Sequence, residues 1–215
     1  MSRLGEDVTH RLRRDVVGGR FGVGQRLTEA SLCEEYGVSR VPVREALKAL
    51  EGEGFVTSRA YAGVTVARLD TADARDLFTV RETIEVLTAS RLAARFAEGP
   101  ADAMAADGDR LRGLVASGTA LLGSDPDLLP GLNTEFHLTL AELSGNASLH
   151  HLLRQVSAKI EWLYALDVQV RGQHSWAEHA ELADAVVTGR VDDAADAMRR
   201  HVRNSRDGYL LRHAP

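Results

Sequence analysis

The sequence predicts a mostly α protein in two parts, an N-terminal winged helix-turn-helix and a C-terminal all-helical antiparallel bundle. Three observations carry this expectation. Strand-forming segments flank a glycine turn in the first third and vanish after Thr71. Apolar residues at helical spacing fill the rest of the chain. The breaks between those helical stretches are short, as a bundle requires. With 215 residues, 44% hydrophobic and 27% charged, the chain can bury two small cores.

Each element has a local reason. An amphipathic stretch from about Glu6 to Val17 stops at Gly18-Gly19. A second helix is expected from about Thr28 to Tyr36, followed by a tight turn at Gly37-Val38. Ser39 stands at the N-cap of a third helix, which carries Val43, Ala46, Leu47 and Leu50 on one face and ends near Gly54. Phe55-Val56-Thr57 and Val64-Thr65-Val66 then read as a hairpin around a turn containing Gly63. Beyond it, helices are expected at about 72–97, 101–121, 127–143, 147–171, 176–188 and 193–212. Asp125-Pro126 supplies a cap with proline at the first helical position, and Gly145-Asn146 joins a stop to a cap. Ser175-x-x-Glu178 reads as a capping box, and Gly189 precedes a fresh start at Asp192. The expected division is a head at 1–68, a linker at 69–71 and a bundle at 72–215.

Composition excludes several classes. No apolar run reaches the roughly 18 residues that cross a bilayer. The N-terminus lacks the basic-then-apolar pattern of a signal peptide. Cys33 is the one cysteine, which rules out an internal disulfide and a cysteine-rich metal cluster. A cytoplasmic protein with no membrane partner is expected. The net charge of −5 hides a split: residues 1–69 hold 11 Lys+Arg against 9 Asp+Glu, net +2, and the rest hold 15 against 22, net −7. A mildly basic head on an acidic body suits contact with nucleic acid confined to the first third.

The run Gly37-Val-Ser-Arg-Val-Pro-Val-Arg-Glu-Ala-Leu47 resembles the signature of the GntR family of regulators. Gly24-Gln-Arg-Leu-Thr-Glu29 is similar to that family's entry to its second helix, with Val23 where proline is usual. Glu53-Gly-Phe-Val56 and Gly63-Val-Thr-Val66 fit its wing. The resemblance covers about residues 5–68 and implies binding to double-stranded operator DNA, with two heads of a homodimer reading a pseudo-palindrome. Recognition helices meet the major groove with their N-terminal ends, here Ser39, Arg40 and Arg44. The two arginines are four apart and share one face, and each can grip guanine or a phosphate. Gly63 allows the wing close to the DNA backbone, with Arg59 beside it.

A second constellation lies in the bundle. Asn133 and His137 are one turn apart; His179 shares a face with Trp176, Leu182, Ala183 and Val186; His201 shares one with Ala194, Met198, Ser205 and Tyr209. Three imidazoles looking inward from three helices need a partner, and a divalent metal is one. His10, His150, His151, His174 and His213 lack this context and are expected at the surface or at caps.

Arg81-x-x-x-Glu85, Asn133-x-Glu-Phe-His137, Ser144-Gly-Asn146, Glu178-His179 and Met198-x-x-His201 also resemble the FCD domain of the FadR-type branch of the family. The six expected helices match its smaller, VanR-like variant. In metal-binding members an aspartate and three histidines hold a zinc-like ion, which implies Asn133, His137, His179 and His201 as ligands here. An amide oxygen in place of a carboxylate brings no charge, so the ion's charge is left for an anionic effector to balance. The resemblance also makes Arg81 the anchor for such an effector, an organic acid held through two hydrogen bonds. Against that stands a purely structural Arg81–Glu85 pair one turn apart. A regulator in which the ion itself is the signal is the alternative. An enzyme is not expected: there is no His-Glu-x-x-His, nucleophile motif or glycine-rich phosphate loop.

Overall fold

The computed structural model describes residues 2–59 and 63–213, without the side chains of Arg59 and Ala101. The chain divides into two compact units, Met1–Leu69 and Asp70–Pro215.

In the first unit, α1 (Arg3–Val17) is capped by the Ser2 hydroxyl. It buries Val8, Leu12 and Val16 against α3 (Arg40–Gly52), whose Val43, Ala46, Leu47 and Leu50 are all buried as the spacing predicts. Between them α2 (Glu29–Tyr36) ends at Gly37, which takes the left-handed conformation with φ +66°. A β-carbon is costly there, so glycine sets the turn of the helix-turn-helix. The wing is β2 (Val56–Arg59) and β3 (Gly63–Val66). Arg26–Leu27 forms a further short strand, β1, antiparallel to β3, which gives the sheet order β1-β3-β2. Two residues are too few for a period-2 pattern, so β1 has no sequence signal. Ser39 occupies the N-cap position of α3 but makes no side-chain cap hydrogen bond.

The second unit holds α4 (Thr71–Glu98), α5 (Ala101–Leu121), α6 (Leu129–Leu143), α7 (Ala147–Val187) and α8 (Val191–Arg212). Helix α4 lies against α8, α7 and α6, and α5 packs on α6 and α7. Asp70 and Asn146 cap α4 and α7 through their side-chain oxygens. Ahead of α6, Pro126–Leu128 forms a single 3-10 turn, and Asp125 supplies no side-chain cap. One helix fewer is present than expected among the described residues, because 147–171 and 176–188 are one helix of 41 residues. The supposed capping box is no cap. Ser175 is fully buried inside α7, and Glu178 receives hydrogen bonds from Arg171 and Asn204. Gly172, just past the expected helix end at 171, packs closely: a β-carbon there would meet Leu122 at 3.3 Å. No helix among the described residues is long and apolar enough to cross a membrane.

Candidate functional site

The bundle converges its histidines. His137 on α6, His179 on α7 and His201 on α8 are 4%, 0% and 1% exposed, and each offers a ligand atom within 4.8 Å of the others. The rings of His137 and His201 stack at 5.1 Å, and His179 stacks on Phe136 at 4.4 Å with Trp176 edge-on at 4.7 Å. Asn133, one turn before His137, is completely buried. Neither of its amide atoms has a hydrogen-bond partner, nor has either ring nitrogen of His179. Each orphaned buried polar group costs about 1–3 kcal/mol, so this arrangement is stable only if something else gains from it.

Arg81 is the surprise. The guanidinium comes from α4 and is 2% exposed. Its Nε donates to Glu85 Oε1 at 2.9 Å, and its Nη2 donates to His137 Nε2 at 2.9 Å and His201 Nε2 at 3.3 Å. Arginine only donates, so both Nε2 atoms are lone-pair acceptors and the hydrogen of each neutral ring sits on Nδ1. The Nδ1 atoms face carboxylates: His201 bonds Glu178 Oε2 at 2.9 Å, and His137 approaches Glu85 Oε2 at 2.8 Å, though not in line for a straight hydrogen bond. Carboxylates behind imidazoles fix the tautomer that points Nε2 inward, which is how metal-binding histidines are oriented.

Burial keeps the three rings neutral. It lowers His137, drives His179 well below the usual histidine value with help from its cationic neighbours, and brings His201 to about 4 against the pull of Glu178. Burial alone would raise Glu85 and Glu178, but Arg81 and His137 hold the first at about 2, and His201 and Arg171 hold the second at about 2. Neutral imidazoles backed by ionised carboxylates are metal-ligand chemistry, and the three ring nitrogens lie close enough together to hold a metal ion. Arg81 also lines a narrow cavity with Phe78, Tyr164, Arg171, Ser205 and Tyr209, whose volume of about 10 Å³ is room for one water. Arg171 Nε is buried without a hydrogen-bond partner among the described residues. Helical spacing indicates neither Tyr164 nor Arg171, and the support that Glu178 gives His201 runs from α7 to α8. The remaining histidines, His10, His150, His151, His174 and His213, are exposed or half-buried.

In the first unit, Ser39, Arg40 and Arg44 are exposed on the first turns of α3, together with Val41 at 63% exposure. Glu29 on α2 holds Arg44 Nε at 2.6 Å. Gly63 has φ +83°, and a β-carbon there would stand 3.2 Å from Arg26 Nε, so the unexpected β1 brings a further cation under the wing. The side chain of Arg59 lies outside the described residues.

The comparisons agree with this architecture. The model of the bacterial regulatory proteins of the gntR family matches residues 4–66, and that of the FCD domain matches residues 76–204. An HTH-type transcriptional regulator in an unstable DNA locus of Streptomyces ambofaciens is 32% identical over 205 residues, 92% of this chain and 81% of that protein. The Nta operon transcriptional regulator of Aminobacter aminovorans is 29% identical over 90% of this chain and 89% of its own. A GntR transcriptional regulator from Rhodococcus sp. RHA1 has the same fold, with a TM-score of 0.80 at 23% identity over 98% of this chain and 99% of its own. The chain belongs to the GntR family: it is a DNA-binding transcriptional regulator with an FCD domain, and not an enzyme.

Proposed function

We propose that a small organic acid controls DNA binding from the FCD domain, with a divalent ion of the zinc class on His137, His179, His201 and Asn133. Arg81 is the anchor for the acid. The observation that carries this reading is the buried triad of imidazoles, supported by the unpaired atoms of His179 and Asn133. When bound, the ion supplies positive charge that the neutral Asn133 does not offset, and the carboxylate supplies the missing anion. Arg171, which lines the same cavity as Arg81 and has a buried Nε unpaired among the described residues, is the candidate to hold a second polar group of the acid.

At the other end of the chain, Arg40 and Arg44 read base edges or phosphates, and Ser39, Arg59 and Gly63 fix the backbone of the DNA. Two chains form a homodimer on a pseudo-palindromic operator, because a single head reads only a short half-site. The acid regulates only if it binds the DNA-competent and DNA-free states with different affinity.

A second reading, in which the ion itself is the signal, is favoured by the size of the cavity: about 10 Å³ admits no acid until the helices part. A thermal-shift screen of tag-free protein against small carboxylates tests the first reading. A true effector raises the melting temperature by mass action, and Arg81→Met removes the rise. A screen without hits, or a shift that survives Arg81→Met, goes against the acid; operator affinity that changes with zinc alone then supports the ion.

A further inference from the structure

A neutral imidazole has one lone pair, and two of the three in this cluster are already spent. His137 Nε2 and His201 Nε2 both accept from the same nitrogen of Arg81, at 2.9 and 3.3 Å. Their Nδ1 sides are turned to Glu85 and Glu178. While the guanidinium stays there, His179 is the one imidazole of the three whose lone pair is not already engaged by Arg81. The three-nitrogen set that could hold a zinc-like ion is therefore reduced to one free nitrogen.

Charge points the same way. Arg81 and Glu85 neutralise each other, and Glu178 is paired with Arg171 at 2.6 Å. Asn133 brings no negative charge. A dication entering beside the resident guanidinium therefore finds both carboxylates already paired with arginines, and its own charge is left without a free counter-ion.

We propose that Arg81 is a tethered cation that competes with a divalent ion for His137 and His201, so that the ion binds only when the guanidinium leaves. This rests on the metal reading above and adds a residue that opposes it. The way out is the adjoining cavity, which Arg81 already lines with Phe78, Tyr164 and Ser205. Its one carboxylate, Asp167, is engaged by Arg212 at 2.8 Å, so the guanidinium finds an anion there only when one is brought in. Ion and anion then favour each other's binding through one side chain, and the coupling is reciprocal.

The test is zinc affinity, measured on the tag-free full chain by competition with a chromophoric chelator, for wild type, Arg81→Met and Arg81→Lys. Lysine keeps a cation beside Glu85 but lacks the fork that bonds Glu85 through one nitrogen and the rings through another, so it serves where methionine leaves Glu85 without a partner on folding. Circular dichroism establishes that each variant is folded. Loss of a charge-assisted hydrogen bond corresponds to about tenfold or more, and the folded variants are expected to bind zinc tighter by that factor. A folded variant that binds zinc no tighter than a zinc-binding wild type overturns the competition and leaves the metal site standing. Wild type and variants that all fail to bind zinc overturn both.

Discussion

His179 has the least support of any group in the cluster, with both nitrogens buried and unpartnered between Phe136 and Trp176. Replacing it by an apolar side chain of similar size removes an unsatisfied polar group, so His179→Leu is expected to stabilise the metal-free chain by about 1–3 kcal/mol at neutral pH. Acid should act in the opposite sense on wild type. A base whose folded value lies below its unfolded one stabilises the fold above the unfolded value, and the benefit fades as protons bind the unfolded chain. For His201 that window runs from 6.5 down to about 4, and His137 and His179 share its direction. Glu85 and Glu178 continue the loss from 4.5 down to about 2. Melting temperature measured against pH should therefore fall below 6.5, with a shallower decline in His179→Leu. An unchanged slope in that variant would show that His179 takes up no proton on unfolding. At this scale the sequence was half legible. The inward faces of His137, His179 and His201 follow from spacing along single helices. The lone-pair economy around Arg81 does not, because it joins α4, α6 and α8, and sequence separation says nothing about which donor meets which acceptor. The Arg81–Glu85 pair, one turn apart, was legible as a structural pair and is present at 2.9 Å.

At the scale of elements, α3 was readable to within a residue or two, since its apolar stripe and the Gly37 turn are both local signals. Its exposed face makes a direct prediction. Arg44 is 62% exposed in its side chain and held by Glu29, so DNA contact exchanges one carboxylate for a phosphate or a base edge. Arg44→Ala should weaken operator binding by roughly 1–3 kcal/mol in a gel-shift titration at fixed salt; unchanged binding would remove Arg44 from the DNA interface. Helix α7 shows where local signals mislead. Glycine followed by a Ser-x-x-Glu pattern is a reasonable helix break, yet Gly172 is small to admit Leu122, and Glu178 turns to Arg171, Asn204 and His201. Leu122 closes α5, and Asn204 and His201 belong to α8, so most of the explanation lies outside α7. Strand β1 was missed for the converse reason, as its two residues are defined only by pairing with β3.

At the scale of the molecule, the charge split and the change from mixed to purely helical patterning both anticipated two units, and the family matches fall one on each. The account gives those units different chemistry. The head offers arginines at the start of a helix, and the bundle offers neutral imidazoles that only an ion, an anion-bound cation or Arg81 itself can satisfy. In the proposed reading, regulation amounts to which occupant holds the histidines. Calorimetric titration of the tag-free full chain with zinc, set beside His179→Leu, tests this most directly. The account predicts roughly one zinc per chain in wild type, and binding at least about tenfold weaker in the variant, as expected when one of few ligands is lost. A wild-type chain and an Arg81→Met chain that both take up no zinc, or a His179→Leu variant that binds it as tightly as wild type, would contradict it.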